Sequence, residues 1–100
     1  MGAKIKNYYS LLRFLKKNLP IDKPISVRRV KLSPTLYGEV YLEKNKYLIR
    51  IDKNLLENSA MDILIHELSH VMAWSCEEHG REWGIAYSKV YRMYLKWIDE

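Results

Sequence analysis

Thiol chemistry is nearly absent from this chain, which carries one cysteine, Cys76. No internal disulfide can form, and that suits a reducing compartment. Proline and glycine are scarce too, at three and four residues. Their scarcity excludes collagen-like and low-complexity chains and leaves few punctuation points along the backbone. No apolar run approaches the ~20 residues that a membrane span requires. The opening Met1-Gly2-Ala3-Lys4-Ile5-Lys6 lacks the apolar stretch and cleavage site of a secretory signal, and Lys6 stands where a myristoylation pattern needs Ser or Thr. The expectation is a cytoplasmic protein. Acidic residues are few in the first half: residues 1–56 hold thirteen Lys and Arg against four Asp and Glu, and residues 57–100 hold four against eight. A net charge of +5 conceals that asymmetry. The basic half is the footprint a nucleic acid or another polyanion would require, and equally the solvated surface of an ordinary domain.

What is present describes a folded chain. Hydrophobic residues make up 48% and charged residues 29% of its 100 positions, enough for one domain over 1–100 with a single modest core. Ile5, Tyr8, Tyr9, Leu12, Leu15 and Leu19 recur at helical spacing, which predicts an amphipathic helix over residues 4–18 ended by Pro20. After a turn-rich connector, residues 25–32 alternate like a strand. Their phase slips at Arg28-Arg29, where a bulge would keep Ile25 and Val27 on the face of Val30 and Leu32. Residues 37–43 and 46–51 read as two further strands, and the short polar link between them predicts an antiparallel hairpin. Gly38 marks a bulge or a close backbone approach. A polar joint follows, in which Asn58, Ser59 or an earlier turn at Asn54 would start a second helix running to about residue 76. A last helix is expected from near Gly80 to Trp97, burying Trp83, Ala86, Tyr87, Val90, Tyr94 and Trp97. The pattern is α+β: a helix at each end, a three-stranded and mostly antiparallel sheet, and a central helix packed on it.

That central helix carries His66-Glu67-Leu68-Ser69-His70. Two histidines four residues apart stand about 40° from one another around a helix, so both imidazoles can reach one Zn²⁺ from a single face. Glu67 lies beside them, placed to handle a metal-bound water. Met61, Leu64, Ile65, Leu68, Val71 and Met72 occupy the other side, which predicts that the helix packs on its back and presents the histidines outward. A hydrolytic zinc takes three protein ligands and keeps a fourth position for water. His79, the only other histidine, falls just past the helix and is the candidate third ligand, with Cys76, Glu78 and Glu82 as rivals. In His79-Gly80 the glycine would permit a tight turn at the ligand. Asp62, one turn before His66, is placed either to orient its ring or to complement the helix dipole. Tyr87 and Arg81 are candidates for stabilising a developing oxyanion, though either serves as well in packing or on the surface.

His66-Glu67-Leu68-Ser69-His70, followed by His79-Gly80-Arg81-Glu82-Trp83, resembles the SprT-like zinc metallopeptidases, the family that includes Spartan. The order of elements is similar to that family's minimal core. The resemblance implies a zincin-type fold, one catalytic zinc ion, Glu67 as general base and protein or peptide substrates. Several members act on proteins attached to DNA, which gives the basic half its interest. The chain departs from the family in having no cysteine-rich zinc ribbon and a short His70-to-His79 connection. The alternative from another class is a non-catalytic zinc-containing module that grips nucleic acid through residues 4–53. An edge strand in 37–43 is the expected place for an extended substrate to add to the sheet.

Overall fold

A computed structural model of the chain describes residues 6–74 and 80–100. Helix α1 (Tyr8–Asn18) precedes the strands β1 (Ile25–Val30), β2 (Gly38–Glu43) and β3 (Lys46–Asp52). Helices α2 (Glu57–Met72) and α3 (Arg81–Asp99) complete an α+β fold. Helix α1 begins at Tyr8 because Asn7 stops it: the Asn7 Oδ1 accepts the Ser10 amide at 2.9 Å, a side-chain cap on an otherwise orphaned donor. The predicted start among Lys4 and Ile5 lies outside the described residues. At the other end Leu19 turns to extended backbone just before Pro20, as expected.

The sheet order is β1-β3-β2, with β3 in the middle. β2 and β3 form the antiparallel hairpin, turning through Lys44 and Asn45 at φ 51° and 64°. Two left-handed residues make the turn whose twist matches the strands it joins. β1 pairs with β3 in parallel.

β1 pairs residue for residue from Ile25↔Tyr47 to Val30↔Asp52, so the expected bulge at Arg28-Arg29 is absent. The phase slip has another cause. Tyr47, Ile49 and Ile51 are buried, and Ile25, Val27 and Arg29 share their face. The third inward place is filled by arginine. Its guanidinium lies 4.9 Å from the ring centre of Tyr8 and donates to the carbonyls of Asp52, Lys53 and Leu55, each at 3.2 Å. The long aliphatic stem lies along the core while the charged head ties down the joint before α2.

The core lies between that face and the helices. Leu11 and Leu15 of α1, Ile49 and Ile51 of β3, Leu64, Ile65 and Leu68 of α2 and Val90 of α3 are all buried in it. Helix α2 crosses β2 and β3 with its apolar back and packs against both other helices. It starts at Glu57 with Leu56 as its cap residue and no side-chain cap, so neither Asn58 nor Ser59 starts it. Asn54 instead donates its amide to the Asp52 Oδ1 in the preceding turn. The Glu57 carboxylate accepts the Tyr8 amide at 2.5 Å, which joins the start of α2 to the start of α1. Among the described residues, no helix is long and apolar enough to cross a membrane.

Candidate metal centre

His66, Glu67 and His70 sit in the last two turns of α2, on the flank its apolar stripe leaves open. Helical geometry alone brings the two imidazoles together. Their ring centres are 4.8 Å apart, and the Nε2 atoms lie 3.2 Å from one another. At a tetrahedral cation with bonds of about 2.05 Å, two ligand nitrogens stand ~3.3 Å apart, so the pair already has the spacing of two corners. Without a cation the same separation suits an N–H of one ring donating to the other. One ligand atom from each of the three residues falls within 4.8 Å of the others, and the three form a group that could hold a metal ion. Two imidazole nitrogens and a carboxylate oxygen are the donor set of a borderline divalent cation.

Glu67 is 5% exposed, whereas the two histidines are half-buried. Its side chain turns toward β2, where Gly38 lies beneath it. A methyl group at Gly38 would stand 2.5 Å from the Ile63 Cγ2 and 3.3 Å from the Glu67 Cγ. Gly38 has no positive φ, so its glycine serves close approach and not backbone conformation. Of the two roles foreseen for it, this is the second.

Between β2 and α2 lies a cleft of about 410 Å³, lined by Leu36, Gly38, Glu39 and Val40 on one side and Glu67, His70, Ala73 and Trp74 on the other. β2 is an outer strand, and among the described residues none pairs with its second edge. The cleft thus has an edge strand for one wall and Glu67 and His70 in the other.

The other residues singled out from the sequence fare differently. His79, Cys76 and Glu78 lie outside the described residues. Glu82 is exposed and lines a separate pocket with Met72, Ala73, Ile85, Ala86 and Lys89. Asp62 is exposed, and its charge bears on Tyr94: burial first, then Tyr91 and Asp62, push that phenol's pKa up. Gly80 caps α3 at φ −83°, a backbone open to any residue, and the turn expected at His79 lies outside the described residues. Arg81 is exposed at the start of α3. Tyr87 is 36% exposed and not part of the buried stripe: it lies on the edge of that stripe, and its ring stacks on Trp83 along the helix surface.

The periodicity of α3 places Trp83 among its core residues. Its indole instead stands against both histidines, 5.1 Å from the ring centre of His66 and 5.6 Å from that of His70. The available signal was its place in the first turn of α3, the end of that helix nearest the motif.

Fold and site together define an α+β domain with a potential metal-binding group on its central helix, at the foot of an edge-strand cleft. No family model, curated protein or solved structure matches the chain.

Proposed function

We propose that this chain is a zinc-dependent endopeptidase of the SprT-like kind. The observation that carries the reading is the 3.2 Å separation of the His66 and His70 Nε2 atoms with the buried side chain of Glu67 beside them, at a cleft walled by an edge strand. His66 and His70, with His79 as the third ligand, would hold one Zn²⁺. Bound there, zinc supplies a Lewis acid that polarises the scissile carbonyl and acidifies a water.

The chain's own residues do the rest. An extended peptide pairs with the outer edge of β2, and the fixed strand sets its register against the His-Glu-His group. Leu36, Val40 and Trp74 offer apolar contact to its side chains. Glu67 takes the proton of the attacking water at its carboxylate and delivers it to the leaving amine. Burial of Glu67 against β2 holds that carboxylate in one place, so the proton is handed over without a search of conformations.

The decisive variant is Glu67→Gln. It keeps the size of the side chain and removes the base, so cleavage of a denatured protein should fall by about 10²-fold or more while zinc content and melting temperature stay with the parent. Equal cleavage by parent and variant would refute the role given to Glu67.

The basic half favours a second reading, a zinc-containing module that binds nucleic acid and does not cleave. Helix α1 contains no acidic residue and exposes Arg13, Lys16 and Lys17. DNA binding that weakens steeply with salt, together with no hydrolysis of any denatured protein by the zinc-loaded parent, would select it.

A further inference from the structure

An imidazole on a helix flank has a broad, roughly two-fold χ2 torsion, so helical spacing brings the two rings together without by itself fixing where each Nε2 points. Here one ring from another element meets both of them. The Trp83 indole is tilted 58° to the plane of His66 and 42° to that of His70, with ring centres 5.1 Å and 5.6 Å away. It comes from α3, so the contact is tertiary and depends on how that helix is seated.

Trp83 is itself backed. Tyr87 stacks on it at 5.1 Å and 29°, and Tyr91 stacks on Tyr87 at 6.0 Å and 16°. The column continues through Tyr94 to Trp97, at 5.5 Å and 6.0 Å. At its far end the Trp97 Nε1 donates to the Ser10 Oγ at 3.1 Å, and Lys6 lies over the same indole and donates to the Trp97 carbonyl. Five rings therefore run along α3 from the histidine pair to α1. Burial of Ala86, Val90 and Trp97 fixes the helix beneath them.

We propose that Trp83 is a positioning residue of the metal centre, its indole face holding the His66 and His70 imidazoles in the paired orientation that one cation requires. The proposal rests on the metal-binding reading above. Rings held by folding lose little further freedom when a cation arrives, so affinity is higher than for the same two ligands left to rotate. An apolar ring tilted against both imidazoles also limits the access of competing water.

The test compares the parent, Trp83→Leu and Trp83→Phe. The readouts are the Zn²⁺ dissociation constant, by competition with a chromogenic chelator, and the visible spectrum of the Co²⁺ form. Leucine fills space but offers no ring face, and it should weaken zinc binding by about tenfold or more and shift the Co²⁺ bands. Phenylalanine restores a face and should bind within about threefold of the parent. Leucine binding as tightly as the parent with an unchanged spectrum would overturn the proposal, as would equal losses in both variants. Should circular dichroism show Trp83→Leu unfolded, Tyr87→Leu takes its place. It leaves the indole but removes the ring behind it, and an affinity equal to the parent's would count against the proposal. A parent that binds no zinc at all refutes the metal-binding reading itself, which is a separate failure from a parent that binds zinc regardless of residue 83.

Discussion

Replacing Gly38 by alanine tests how closely β2 and α2 must approach for the candidate site to exist. The added methyl would sit 2.5 Å from the Ile63 Cγ2, against the 3.5–4.0 Å of an ordinary carbon contact. Something must open by about 1 Å. Ile63 cannot turn aside cheaply, since a β-branched side chain in a helix has one favoured χ1. The Glu67 Cγ at 3.3 Å stands next in the way, so the strain falls on the side chain the proposed chemistry uses. Overpacking of this kind costs about 1–3 kcal/mol. Alanine in place of strand glycine returns about 0.5–1 kcal/mol of backbone entropy, so the net loss should be about 1–2 kcal/mol. Urea unfolding followed by tryptophan fluorescence reads it as a lower midpoint with an unchanged slope. Ile63→Ala in the same chain should recover part of the loss, with a coupling of about 1 kcal/mol in a double-mutant cycle. Gly38→Ala as stable as the parent, or strictly additive with Ile63→Ala, would refute the close-approach argument.

Two further substitutions probe the scaffold. Tyr8 is 1% exposed, its hydroxyl has no partner among the described residues, and burial pushes its pKa up to about 12 from 10.0. The folded state thus keeps a proton that the unfolded chain releases, and stability should be level below pH 10 and fall between pH 10 and about 12. Tyr8→Phe should remove that alkaline loss without lowering stability at pH 7, as measured by urea midpoints across pH; a large loss at pH 7 would reveal a hydroxyl partner. Arg29→Ala removes three carbonyl contacts and the cover over Tyr8 and should cost about 2 kcal/mol. A loss below roughly 0.5 kcal/mol in the same assay would count against Arg29 as the third inward residue of β1.

Much of the architecture is written locally in the chain. Periodicity marks all three helices, and alternation around a polar link marks the hairpin, because both report how single elements meet water. Neighbour relations are not written there. Alternation along residues 25–30 assigns faces but cannot say that β1 runs parallel to β3, since any partner of matching register satisfies the same pattern. The phase slip at Arg28-Arg29 suggests a bulge only if arginine faces outward; the stem of Arg29 packs inward while its head finds three carbonyls. Leu11 is fully buried, whereas Leu12 of the predicted stripe is half-buried on the neighbouring flank; adjacent leucines leave the centre of the stripe open by about one residue.

The site divides in the same way. His66 and His70 meet through i,i+4 geometry within one helix, with Glu67 next to them in sequence, so the group's proximity is readable from spacing. Gly38 could be flagged as unusual, yet which atoms it approaches depends on the packing of β2 against α2. Trp83 reaches the histidines only because α3 folds back along α2, a relation no pattern inside either helix encodes.

Everything proposed here depends on the histidine pair taking up a cation, and elemental analysis of protein purified without added metal measures that directly. The account predicts about one zinc per chain, lost in His66→Ala and in His70→Ala while both variants remain folded. A parent free of zinc that also fails to take it up at micromolar concentration would contradict it.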